Sequence, residues 1–206
     1  MNQTVSQRKI FSPYMLANIS ILSVIGFIIM LFSITLPFFP TFLSWDLSDL
    51  PVLVGTIAFG PVAGIVIAFV KNLIKFVLNT STAGIGEFAN FIVGVSLVIP
   101  MGIAYRYSRS VKGYFIGSTV GVLSTVVVAC LLNYFVLIPA FARMFIPMEA
   151  IIGMGTAVNG SVTDLRTLVL FTIAPFNLLK TLSVVICGYF VLFKFNLLKY
   201  IKIKES

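Results

Sequence analysis

Apolar stretches of about 20 to 30 residues follow one another through most of this chain, and three lysines, Lys71, Lys75 and Lys180, sit inside them. Nothing else in the sequence restricts the fold as much. A soluble domain carries roughly 25% charged residues, whereas here 10% are charged and 59% are hydrophobic among 206 residues. A membrane-spanning helix needs about 20 apolar residues, so the chain has room for five to seven spans with short loops. A charge at bilayer depth costs between about 2.5 and 17 kcal/mol and therefore needs a polar partner. Asn72 lies beside the first two lysines, and Asn177 lies one helical turn before Lys180. An apolar chain that still places ammonium and amide groups at depth is expected to surround something polar, which points to a buried small-molecule site.

The formal net charge of +8 would suggest a nucleic-acid ligand in a soluble protein. Here the basic residues lie in short segments beside hydrophobic runs, the pattern of topology signals at a membrane face. The chain contains no histidine, which removes the commonest metal ligand and general base. Cys130 and Cys187 fall within apolar runs and read as small buried hydrophobes. No glycine-rich phosphate loop occurs, no second half repeats the first, and intramembrane acids are scarce. A transporter built this way would draw its energy from partner subunits.

The sequence divides into an N-terminal segment 1–13, a membrane domain 14–193 and a basic tail 194–206. The N-terminal apolar run is too long for a signal-peptide core and lacks a cleavage pattern, so it is expected to remain as a span. Ser12-Pro13 suits a helix start. The expected spans are about 14–36, 47–59, 61–79, 87–107, 111–141 and 165–193, an all-α, six-helix polytopic protein. The break at Gly60-Pro61 is required because an unbroken helix over about 32 residues would be about 48 Å long, well beyond a hydrocarbon core of about 30 Å. In the glycine-rich segment between Pro147 and Asp164, Met148, Ile151 and Ile152 suit a short surface helix. With six spans, Arg8, Lys9, Arg106, Arg109, Lys112 and the tail lysines fall on one side. Only Arg143 and Arg166 fall on the other, with Asp46, Asp49, Glu87, Glu149 and Asp164. The positive-inside rule then puts both termini in the cytoplasm.

Several polar groups are candidates for the site, each with a plainer alternative. Asn177 and Lys180 share one helix face and offer donors and an acceptor for a heteroaromatic edge or a polyol; tying the helix to a neighbour is the alternative. Asn133 suits the same cavity or a helix–helix hydrogen bond. Glu87 and Asn90 also share a face, and Glu87 alone is a favourable charge at a helix N-terminus. The simplest account of the third span is an ion pair from Lys71 or Lys75 to Glu87. Asp46 and Asp49 read as acidic groups at the start of the second helix. The loop that carries Phe38, Phe39, Phe42, Leu43 and Trp45 is either an interfacial aromatic belt or a lid over a pocket.

The runs Leu36-Pro37-Phe38-Phe39-Pro40-Thr41-Phe42-Leu43, Asp46-Leu47-Ser48-Asp49-Leu50-Pro51, Ala58-Phe59-Gly60-Pro61-Val62-Ala63-Gly64, Lys71-Asn72 and Gly86-Glu87-Phe88-Ala89-Asn90-Phe91 occur in this order. Together they resemble the riboflavin-specific substrate-binding (S) subunits of bacterial energy-coupling factor (ECF) vitamin transporters. The resemblance covers almost the whole chain. It implies six helices in the bacterial cell membrane, with riboflavin held in the outer half between the first loop and helices four to six. A membrane coupling protein (EcfT) and two ATPases of the EcfA type would be the partners. Carried over residue by residue, it points to Leu43, Trp45, Glu87, Asn90, Asn177 and Lys180, and riboflavin is then cargo rather than cofactor. One departure concerns the first helix. The family's small-xxx-small alanines, which dock the coupling protein, are not repeated here, since Ile21 follows Ala17 at that spacing.

Overall fold

The computed structural model describes residues 12–195 and 197. The basic residues Arg8, Lys9, Lys199, Lys202 and Lys204 of the expected cytoplasmic segments lie outside that range. Among the described residues, five helices are long and apolar enough to cross a membrane: α1 (Pro13–Leu31), α3 (Pro61–Asn79), α4 (Ile85–Tyr107), α5 (Val111–Met144) and α7 (Leu165–Lys194). Two shorter helices accompany them, α2 (Asp49–Phe59) and α6 (Met148–Val158). The chain is an all-α polytopic membrane protein.

The helix starts follow local chemistry. Ser12 caps α1, its hydroxyl accepting from the Met15 N–H at 3.2 Å, with Pro13 at the first helical position. Asp164 and Thr167 form a reciprocal capping box at the start of α7. Gly60 separates α2 from α3 at φ 97°, a conformation that costs an L-residue dearly.

Two features differ from the sequence expectation. Helix α1 ends at Leu31, five residues early, because Ile34–Thr35 (β1) pairs antiparallel with Ser44–Trp45 (β2). The first loop is therefore a hairpin whose backbone groups bond each other. The second difference is α2. Its 11 residues rise about 16 Å, half of a hydrocarbon core, and Asp49 and all residues from Pro51 to Ala58 are buried. It is a central half-length helix wrapped by the others. The N-terminus of α2 lies level with the middle of α3, where Lys71 meets it. The space above it is left to the hairpin.

Packing between helices depends on small residues, since lipid tails leave little hydrophobic drive for helix association. The clearest case is α4 against α5. A Cβ at Gly117 would lie 2.8 Å from Met101 Cα, and one at Gly121 would lie 2.8 Å from the Leu97 carbonyl oxygen. Around α2, Val52, Leu53, Ile67, Leu97, Val98, Met101 and Val184 form the main core. A second cluster of Ile138, Ile151, Val162, Leu168, Val169 and Ile173 closes the end that carries the hairpin, with Phe42 and Leu43 packed on it. Ile151 is thus the buried anchor of α6, a short surface helix whose other residues, Gly155 apart, are half-buried or exposed. At the opposite end, Tyr114, Tyr189 and Phe193 make a ring cluster, and Tyr114 donates its hydroxyl to the Val185 carbonyl at 2.6 Å.

Alanine is favoured over glycine in a helix by about 1 kcal/mol, yet Gly121→Ala is expected to lower the thermal midpoint in detergent. Backbone contact at 2.8 Å cannot yield as a flexible side chain would, and overpacking costs about 1–3 kcal/mol. A midpoint equal to or above the parent's would show that α4 and α5 are not so closely seated.

Candidate functional site

Four charged side chains meet where the hairpin runs into α2. Lys71, from the middle of α3, donates to Asp49 Oδ1 at 2.6 Å and to Ser48 Oγ at 2.9 Å. Lys180, from the middle of α7, donates to Asp46 Oδ2 at 2.9 Å. The Ser48 backbone N–H donates to the other Asp46 oxygen, Oδ1, at 2.8 Å, which links the two pairs. Two ammonium groups face two carboxylates, so the cluster is formally neutral. Each ion would be untenable alone at this depth.

The surroundings are shaped to the cluster. A Cβ at Gly26 on α1 would come within 3.0 Å of the Lys71 stem, and one at Gly94 on α4 would lie 3.1 Å from Asp49 Oδ1. The buried Asp46 carboxylate is held between the Lys180 ammonium and the Ser48 N–H, one oxygen to each.

The ion pair expected between Lys71 or Lys75 and Glu87 is corrected by this geometry. Lys71 is taken by Asp49, while Glu87 Oε2 accepts from the hydroxyls of Thr80 and Thr82 at 3.2 and 2.9 Å. Lys75 is half-buried further along α3. Asp46 and Asp49, read from sequence as helix-start charges, are counter-ions. The sequence signal was only that lysines at depth require polar partners.

The hairpin reaches α7 at two points that bracket Asn177. Phe39 sets its ring edge-on against Phe176 with centroids 5.2 Å apart, and Asp46 holds Lys180. Asn177 itself is buried, its amide N–H donating to the Ile173 carbonyl at 2.9 Å. Leu43 packs on the outer apolar cluster. Trp45 is half-buried, and its buried indole Nε1 has no hydrogen-bond partner among the described residues, although a buried N–H is ordinarily satisfied. Asn133 opens a π-helical turn in α5 (Asn133–Leu137), donating to the Ala129 carbonyl at 2.8 Å. A second π-helical turn (Val169–Ile173) lies opposite in α7, just before Asn177. Such turns re-aim the side chains around them and gather at functional sites.

Glu87 and Asn90 keep different company. The Asn90 amide points to Met30 Sδ at 3.8 Å, and Glu87 lines a groove of about 450 Å³ with Phe69, Asn72, Phe76, Phe88 and Phe91, between α3, α4 and α5. The structure thus sets Asn177 and Lys180 of α7 against the hairpin that carries Leu43 and Trp45, and sets Glu87 on a different wall.

Residues 14–192 match the family model described as "ECF transporter, substrate-specific component". The chain belongs to this family. It is 34% identical over 187 residues to the riboflavin transporter RibU of Staphylococcus aureus, covering 91% of this chain and 92% of that one. To the riboflavin transporter FmnP of Bacillus subtilis it is 31% identical over 173 residues, 83% of this chain and 86% of the other. A solved structure described as "Structure and mechanism of the S component of a bacterial ECF transporter" superposes with a TM-score of 0.69 at 32% identity. That match covers 91% of this chain and 97% of the other. As an ECF substrate-specific component, the chain is a transport protein and not an enzyme.

Two outcomes follow from the cluster. Lys71→Met leaves Asp49 without its cation and is expected to cost about 3–5 kcal/mol of stability, most of it regained when Asp49→Asn is added. Thermal unfolding of both variants in detergent checks this; no recovery in the pair would show that the charges are not each other's main partners. Asp46→Asn leaves Lys180 without its anion and is expected to lower the thermal midpoint as well; an unchanged midpoint would show that this pair contributes nothing.

Proposed function

We propose that this chain is the riboflavin-binding S subunit of an ECF importer, taking up the vitamin from outside the cell. Its membership in the substrate-specific component family and its similarity to riboflavin transporters over most of its length support this. The observation that carries the chemistry is the wall formed by the hairpin and α7. There an unpaired indole N–H, an amide and an ammonium held by one carboxylate lie beneath apolar loop side chains.

Isoalloxazine is a flat aromatic ring with carbonyl and nitrogen acceptors along one edge. Leu43 and the loop aromatics suit its faces. Lys180 has three N–H donors and gives one to Asp46, leaving two for ring or ribityl oxygens. Asn177 and Asn133 offer amide groups nearby, and the Trp45 N–H is a further donor whose partner would be the ligand. Glu87 and Asn90 belong to the same proposal as outer-half groups that reach the ribityl chain. A charged donor is preferred here because charge-assisted hydrogen bonds are the stronger kind.

The importer would also contain a membrane coupling protein of the EcfT type and two EcfA-type ATPases, since the chain has no phosphate-binding loop of its own. Both termini would face the cytoplasm of the bacterial cell. Arg106, Arg109 and Lys112 at the α4–α5 connection support that orientation.

The chain purified in detergent should be yellow from bound flavin, or should bind added riboflavin with sub-micromolar affinity. Trp45 is the chain's one tryptophan, so its fluorescence should fall on binding. Lys180→Met should weaken binding about tenfold or more. A colourless protein without measurable flavin binding would sink the reading, and displacement by another heterocyclic vitamin would redirect it.

A further inference from the structure

Lys71 is the largest charged side chain that solvent does not reach at all, at 0% exposure, whereas the Lys180 side chain keeps 13%. The two cations in the cluster are therefore not equivalent. The Lys180 side chain keeps some exposure, and Lys71 stands behind it with none. Between them lies one unbroken line of contacts. Lys71 grips Ser48 and Asp49, the Ser48 N–H grips Asp46 Oδ1, and Asp46 Oδ2 grips Lys180.

We propose that Lys71 is a positioning residue for ligand binding: by fixing Ser48 and Asp49 it orients Asp46, and through Asp46 it aims the Lys180 ammonium. This rests on the riboflavin reading above.

The carboxylate of Asp46 has one oxygen committed on each side, so its orientation is set by where Ser48 sits. Ser48 belongs to the last turn of loop before α2, and Asp46 follows directly on β2. Helix α1 lies against the Ser48 carbonyl at Gly26, and the Lys71 ammonium ties the same residue to α3 by its side chain. Gly26 leaves the room for the lysine stem that this reach requires. A lysine kept only to neutralise Asp49 would need no contact with Ser48. The second hydrogen bond, to the residue whose N–H orients Asp46, is what couples the deep cation to the shallow one.

The test is a double-mutant cycle on riboflavin affinity, read from quenching of flavin fluorescence by the purified chain. Lys71→Met combined with Asp49→Asn removes one pair while keeping the remaining charges balanced. It is introduced with Lys180 intact and again with Lys180→Met. If Lys71 acts through Lys180, the change weakens binding about tenfold in the first background and less than about twofold in the second. A merely structural lysine would cost the same factor in both, and that outcome, or no weakening in either, overturns the proposal. Should the combined variant fail to fold, Lys71→Arg keeps the charge and alters its reach. It is expected to weaken binding about threefold with Lys180 and not at all without it, and equal factors again overturn the proposal. Loss of binding by the unmodified chain is a separate result: it removes the riboflavin reading and this inference with it, while a failed cycle on a chain that binds flavin removes the inference alone.

Discussion

The neutral cluster of Lys71, Lys180, Asp46 and Asp49 sets the terms for everything around it. Water cannot solvate these ions at mid-depth, so each must be met by protein, and the geometry of meeting fixes three segments at once. Helices α3 and α7 bring the cations, and the loop into α2 brings the anions. A half-length α2 is the natural consequence. A helix that crossed the whole bilayer would carry its acidic N-terminus to the surface, beyond reach of lysines at the middle of their helices. Stopping α2 at mid-depth places Asp49 beside Lys71 and opens the outer half of the bundle.

That opening is filled by the hairpin, which explains why so apolar a loop follows α1. Its strands satisfy their own backbone groups, a necessity where water is scarce. Its tip residues Phe42 and Leu43 pack on the outer cluster, and Phe39 packs on Phe176. These contacts fold the loop back onto the bundle. Interfacial exposure persists at its edge, where Phe38 remains open.

The remaining architecture serves to hold this arrangement rigid. Close approach of α4 and α5 through Gly117 and Gly121 fixes one wall. Facing π-helical turns in α5 and α7 lie near Asn133 and Asn177. The ring cluster of Tyr114, Tyr189 and Phe193 closes the opposite end.

Membrane residence, the break at Gly60-Pro61 and the α3 boundaries were legible in the sequence because they depend on local quantities: length of apolar run, a proline, a glycine. The presence of polar groups at depth was legible too, since any lysine in such a run is conspicuous. Their partners were not. Asp46 and Lys180 are 134 positions apart, and no spacing rule links residues so distant; Glu87 looked the nearer partner for Lys71 only because it is nearer along the chain. Sequence alone determined that buried cations must be answered by something polar, because the bilayer forbids otherwise. Only the tertiary structure decided which carboxylates answer them, because that depends on how far α2 reaches into the bundle, a length set by packing on every side of it.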